Sequence, residues 1–497
     1  MNAGAGGRGL TLSRFAIVLF ILVGLYILWD NWLPRTPATY DYPSHTSVPE
    51  IPQSATEDYT EDTSQTKPNT TTSLPAAQGT PTSFSQSCRT VPGASNIKVL
   101  LKTGATELYQ KLPTHFLTTF TCIPHFQIFS DLAQQFGDVD IHDAIAPVSW
   151  VYRDHHMDFE LYRKLQRYHA EGQDLGHLKG DGGWNLDKWK FLPMLHKAFE
   201  EAEEGIEWFV VIEADTSLAW GNLLAWLKTM DPKKPYYLGA QNVIGATTFA
   251  HGGSGFIISR KAADMLEEVR YAKGRQAFDE DWEEALSTAC CGDEVIARTL
   301  EEAGVELTPA WPIIQGETVS SIDWTANHWC RPAVSWHHVT PIEIDAMWQF
   351  QSQWAESHGW NEPFLHRDVF EYFVERHTTV NRTGWDNMSN DIRLVSAELA
   401  NRDDKQFSEM QQWERDATAS QDACAAACLI KGEGECIQWM FSSEGRCHLG
   451  RDVRFGKSDE RDRVEARWVS GWIGERVERF KKGFEGCEVN WKGVGAE

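Results

Sequence analysis

The sequence predicts an α/β protein built on a parallel sheet, followed by a small disulfide-stabilised α+β module. Short apolar runs alternate with stretches of helical period, the pattern of strand–helix–strand crossovers. The clearest of these runs, "VVIEADTSLAWGN", carries three apolar residues straight into Glu213, Ala214 and Asp215. Near the C-terminus a cysteine-rich stretch, "CAAACLIKGEGECIQWMFSSEGRCHLG", stands beyond a polar interval and reads as its own module.

Taken in order, "IKVLLKTG" (97–104) is a buried-strand candidate, "TELYQKLPTHFLTTF" a helix, and "FQIFSD" (126–131) a second strand. A long amphipathic stretch, Leu186 to Glu203, leads into the carboxylate-bearing strand. After it, "LAWGNLLAWLKTM" reads as a helix and "PYYLGA" as a strand. In a parallel sheet of this kind ligands bind outside the carboxyl ends of the strands, where Glu213 and Asp215 fall. Carboxylates at alternate strand positions share a side, so a cation is expected against them.

The 497 residues carry a formal net charge of −25, which disfavours nucleic acid as a partner because phosphate binding needs a basic face. The N-terminus differs in kind. An apolar run from Phe15 to Trp29, extendable through Leu33, follows Arg8 and Arg14, and no small-residue cleavage site comes after it. This predicts a cytoplasmic tail (1–14), a retained single-helix membrane anchor (15–33) and a type II orientation. Residues 34–86 are rich in Thr, Ser and Pro, too poor in apolar side chains to offset ordering entropy, and read as a stem. All ten cysteines lie beyond it, which fits disulfides in an oxidising lumen, and sequons stand at Asn69, Asn381 and Asn387. The expected setting is the Golgi membrane with the folded part lumenal: a catalytic domain over 87–400 and a module over 401–497.

Three further stretches carry chemistry. "FAHGGSGFIISRKAADMLEEV" places Gly252, Gly253 and Gly255 where the backbone can approach a ligand closely. "CCGDEVIARTLEEAGVEL" opens a helix with Asp293 and Glu294, which at the least complement its N-terminus. "WCRPAVSWHHVTPIEIDAMWQF" brings His337 and His338 together, and histidine with remote carboxylates can complete a hard-cation site.

These pieces, in this order over roughly 97–360, resemble glycosyltransferase family 31, the group of Fringe and the core-1 β1,3-galactosyltransferases, in its fungal form. "EADTS" is similar to the family's Asp-x-Asp motif, "GGSGFIISRKA" to its glycine stretch, "GDEVIAR" to its Glu-Asp-containing segment and "WHHV" to its late histidine motif. The resemblance implies a GT-A type, Rossmann-like fold, a UDP-sugar donor, a divalent cation supplied as Mn2+, and inverting transfer of a hexose, galactose foremost, in β1,3 linkage to a glycan or glycoprotein acceptor. It implies Asp215, one of His337 and His338, and Glu213 as metal ligands, and Asp293 as the general base with Glu294 adjacent. It implies Gly252 to Gly255 as the floor under donor and acceptor, Thr103 and Asp131 near the uridine, and Lys190 near the phosphates. Two positions depart from the pattern: Glu213 replaces the first Asp, and Gly292 replaces the acid that precedes the base.

In the C-terminal module Cys424 and Cys428 share a helical face while Cys436 and Cys447 lie on strand-like segments, which permits two nested bridges; a four-cysteine zinc site is the competing reading. The pattern resembles a PAN or apple domain, and on that resemblance the pairs are Cys424 with Cys447 and Cys428 with Cys436. Two other functions are open to the chain. One is a catalytically inactive lumenal or cell-surface protein that binds carbohydrate or protein through the apple-like module. The other is a glycoside hydrolase with paired carboxylates, which leaves the nucleotide-type strand and metal cluster without a role.

Overall fold

The computed structural model describes residues 87–495 apart from positions 181, 379, 380, 403, 432 and 433. The expected tail (1–14), anchor (15–33) and stem (34–86) lie outside the described residues. Among the described residues no helix is long and apolar enough to cross a membrane.

Among the described residues twelve strands precede residue 340: β1 (Ile97–Lys102), β2 (His125–Ser130), β3 (Gln134–Phe136), β4 (Val139–Asp143), β5 (Trp208–Glu213), β6 (Ser217–Leu218), β7 (Tyr237–Gly239), β8 (Gln241–Ile244), β9 (Thr247–Ala250), β10 (Phe256–Ser259), β11 (Leu307–Pro309) and β12 (Ser335–Trp336). Eight of them form the central sheet in the order β11-β7-β10-β5-β1-β2-β4-β3. Along β1, alternate side chains enter different layers: Leu100 packs with Phe129, Phe209 and Val211 on one face, and Val99 and Leu101 with Ile128, Val210 and Ile212 on the other. Each such side chain, fully buried, stabilises the fold by about 1.5–3 kcal/mol, so a strand with two apolar faces is held on both.

The sheet is mixed, which corrects the expectation of a parallel one. β5, β1, β2 and β4 run parallel, but β10 lies antiparallel between β5 and β7, and β3 is antiparallel to β4. The cause is local. From β7 the chain passes through the β8–β9 hairpin directly into β10 with no helix to carry it back to the starting edge, and without a crossover a following strand must run antiparallel. The amphipathic stretch before β5 is likewise two helices, Gly182–Asp187 and Phe191–Glu200, instead of one. Inside a continuous helix the Pro193 ring would clash with the carbonyl of residue 189; in a first turn it is tolerated.

After residue 380 a five-stranded antiparallel sheet runs in the order Arg382–Thr383, Val469–Trp472, Gln438–Ser442, Arg446–Gly450, Ile392–Val395. Two of these strands precede residue 401. Helix Gln421–Ala426 packs on the sheet, joined to it by Cys424–Cys447, while Cys428–Cys436 lies inside that bridge, the expected nested pairing. With all four sulfurs in disulfides, no thiolate is left for zinc. The module shares a core with the preceding helices through Trp324, Phe370, Val453 and Trp472. Its tail returns across the first domain, fixed by Cys330–Cys487 and by Val494 N–H donating to Trp311 O at 2.7 Å. Asn387 is fully buried and its amide donates to Trp439 O at 3.1 Å, so in this fold it offers no free nitrogen for glycosylation; Asn381 is exposed.

Candidate active site

The carboxyl ends of β5, β1 and β2 lie side by side and deliver Glu213, Lys102 and Asp131 to one edge of the sheet. Lys102 and Glu213 are register partners, with Lys102 Nζ 3.0 Å from Glu213 Oε1, and Lys102 also pairs with Asp187. Lys190 Nζ lies 3.1 Å from Asp131 Oδ2 and 3.3 Å from Asp187 Oδ1, and donates to Thr103 O at 2.9 Å. Asp131 Oδ1 accepts from Ala105 N–H at 2.8 Å, which fixes the loop after β1. Burial disfavours the Lys102 ammonium, but Asp187 and Glu213 outweigh it and hold its pKa above the ordinary lysine value. Glu213 is pushed up, by burial first and then by Asp187 and Asp215, with Lys102 opposing.

β5 ends at Glu213, so the alternation that would align Glu213 with Asp215 ends there too. The chain turns, and Asp215 faces a different set of groups: Oδ2 lies 3.2 Å from Lys111 Nζ and Oδ1 3.5 Å from His337 Nε2. Burial works against the Asp215 carboxylate, but His337 and Lys111 hold its pKa well below the usual range. The turn is pinned by His115 Nε2 donating to Ala214 O at 2.9 Å and by Thr216 Oγ1 donating to Gly253 O at 2.7 Å.

What brings the late histidines here is a two-residue pairing. β12 runs antiparallel to β6 with Trp336 opposite Ser217, and Val339 N–H donates to Asp215 O at 3.1 Å. Adjacent residues of an extended chain would point apart, but His338 adopts a left-handed backbone (φ 58°), and the two rings lie 3.8 Å apart, centroid to centroid. One ligand atom from each of Asp215, His337 and His338 then falls within 4.8 Å of the others. Carboxylate with imidazole is a donor set for a divalent first-row metal, and His337 Nδ1 is buried without a partner. The residues present therefore fit such an ion. Glu213 stands outside this trio, in its ion pair with Lys102.

The glycine loop is shaped by its neighbours. A Cβ on Gly253 would stand 2.9 Å from His337 Nδ1 and closer still to Cε1 and Nε2 of that ring; one on Gly252 would meet Phe191 Cζ at 2.8 Å. Gly255 has φ 87°. Asp293, in the first turn of helix Gly292–Glu302, accepts from Gly252 N–H (Oδ2, 2.8 Å) and from Glu294 N–H (Oδ1, 3.0 Å). Two carboxylate oxygens offer about four acceptor sites, so capacity for a substrate hydroxyl remains. Glu294 turns away, is buried and pairs with Arg298 at 3.6 Å. Gly292 is explained by space: a Cβ there would lie 2.6 Å from Phe191 Cδ2 and nearer the Lys188 carbonyl.

Two clefts meet at this edge. One, of about 360 Å3, is lined by Asp215, His337, His338, Gly253, His251 and Asp293; the other, of about 280 Å3, by Thr103, Asp131, Lys190, Lys102 and Lys111. Glu213, Asp215, Asp187 and Trp184 border both. Lys102, Asp187 and Lys111 went unnoticed in the sequence. Lysine at 98 and 102 inside the apolar run "IKVLLK" was the available signal, since a lysine on a buried strand needs an acidic partner.

The fold and site define an α/β protein whose mixed sheet is consistent with a GT-A-like fold, with a cation-type cluster in one of two clefts that meet at the carboxyl edge of that sheet. Residues 192–308 match the family model described as Fringe-like, a stretch that includes Glu213, Asp215, the glycine loop and Asp293. No curated protein matches the chain.

Proposed function

We propose that the protein is an inverting glycosyltransferase that moves a hexose, galactose foremost, from a UDP-sugar to a glycan acceptor in β1,3 linkage. The observation that carries this reading is the convergence of Asp215, His337 and His338 within 4.8 Å, in the cleft that also holds Asp293. The Fringe-like stretch supports the same class of activity. A divalent ion, manganese foremost, held by Asp215 with His337 and His338, would neutralise charge developing on the departing diphosphate. Asp293 takes the proton from the acceptor hydroxyl while that oxygen bonds to the anomeric carbon, and the bond from that carbon to the diphosphate breaks on the opposite face. Lys190 and Lys102, held in ion pairs with Asp131, Asp187 and Glu213, border the cleft we assign to UDP. The reading extends to a Golgi type II membrane protein, anchored over 15–33, whose C-terminal sheet with nested disulfides is a PAN/apple-like module.

The test is hydrolysis of a panel of UDP-sugars by the full-length protein, with manganese and with chelator. One UDP-hexose consumed only with the metal is the expected result. A folded sample inert toward every donor under both conditions would favour the inactive binding protein.

A further inference from the structure

Cys290 and Cys291 are joined to each other. A disulfide stabilises chiefly by closing a loop in the unfolded chain, and this one closes none, whereas Cys330–Cys487 spans 157 residues. Nor does it cap the helix it precedes: Cys291 stands at the N-cap with no side-chain hydrogen bond. What the bond does is join two separate, reactive side chains into one rigid apolar group. That group faces the cleft of Asp293, His337 and His338 and does not border the cleft of Thr103, Asp131 and Lys190. Cys290 is exposed and Cys291 half-buried. The cleft's other exposed apolar groups are Trp184 (67 % exposed) and Ile244 (39 %). An apolar part of the rim, beside the polar Asn242 and Lys188, thus shares the cleft with carboxylate and imidazole. In the chain Gly292 alone stands between Cys291 and Asp293, and Cys290, Cys291, Gly292 and Asp293 all line this cleft.

We propose that the Cys290–Cys291 disulfide is an acceptor subsite, a plate on which the C–H face of a pyranose ring rests while one of its hydroxyls meets Asp293. A sugar ring is the ligand that matches, because one face of a pyranose is apolar and its edge is hydroxylated. The acceptor then ends in a sugar, and a bare serine or threonine of a polypeptide does not suit the rim. This proposal rests on the transferase reading for the role of Asp293.

The test is saturation-transfer NMR on the full-length protein with UDP and magnesium, against a panel of methyl pyranosides and an unglycosylated Ser/Thr peptide. At least one pyranoside should receive saturation, chiefly at the C–H groups of one face. In C290A/C291A its Kd should rise at least fivefold while the Kd of UDP stays within twofold. Should that variant melt well below the parent, Ile244→Ser, at another exposed apolar residue of the cleft, supplies a second comparison. Saturation of the peptide instead of the sugars, of no ligand at all, or an unchanged pyranoside Kd in both variants overturns the proposal. A UDP Kd that rises in step with the pyranoside Kd does so too, because the pair would then be structural. If no UDP-sugar is hydrolysed but the pyranoside effect holds, the transferase reading fails and the sugar subsite stands.

Discussion

Replacing Asp293 by asparagine should remove transfer and leave the donor bound. The carboxylate is held at both oxygens, by Gly252 N–H at 2.8 Å and Glu294 N–H at 3.0 Å, so an amide of the same shape must set its NH2 against one of them. The local cost is one hydrogen bond, about 1 kcal/mol. The catalytic cost is larger. A positioned general base contributes about 10²–10⁴-fold, equivalent to about 3–5 kcal/mol of barrier. Neither Asp293 nor its two donors borders the cleft of Thr103 and Lys190, so UDP should bind within about twofold of the parent. The assay pairs acceptor-dependent UDP release with calorimetric titration of UDP in the presence of manganese. A loss of turnover under tenfold would refute the assignment of the base. A large loss of UDP affinity would move Asp293 to the donor site.

Gly253→Ala should displace the His337 ring, which the added methyl would overlap, and weaken manganese binding at least tenfold, with a stability loss of about 1–3 kcal/mol; titration calorimetry and thermal melts read both. Stability should also fall in mild acid. Burial lowers the His366 pKa from 6.5 to about 4, so between those values the unfolded chain binds the proton that the folded chain refuses. Its contribution is complete above pH 6.5, is lost as pH falls toward 4, and amounts to about 3 kcal/mol. Urea melts at pH 7 and pH 4.5 should show this loss and His366→Phe should reduce it; equal slopes in parent and variant would contradict it.

Much of this edge is written in residue type and order. Apolar runs ending in Asp131 and Glu213 mark strands whose carboxyl ends carry acids, and that pattern survives in β2 and β5. His337 and His338 stand out as a pair, but the reason they reach Asp215 does not, because β6 and β12 are two residues long and give no period to detect. The antiparallel insertion of β10 is hidden for a related reason: direction depends on whether a helix intervenes, and the β8–β9 hairpin does not read as a breaker of the alternation. The partition of Glu213 to Lys102 and of Asp215 to the imidazoles turns on where a strand stops, the least legible feature of any sequence.

Manganese binding in the presence of UDP, followed by the paramagnetic resonance of the free ion, bears most directly on the site. Parent protein should take up one ion per chain. Asp215→Asn, His337→Ala and His338→Ala should each bind it at least tenfold more weakly. Undiminished binding in all three variants would contradict the account.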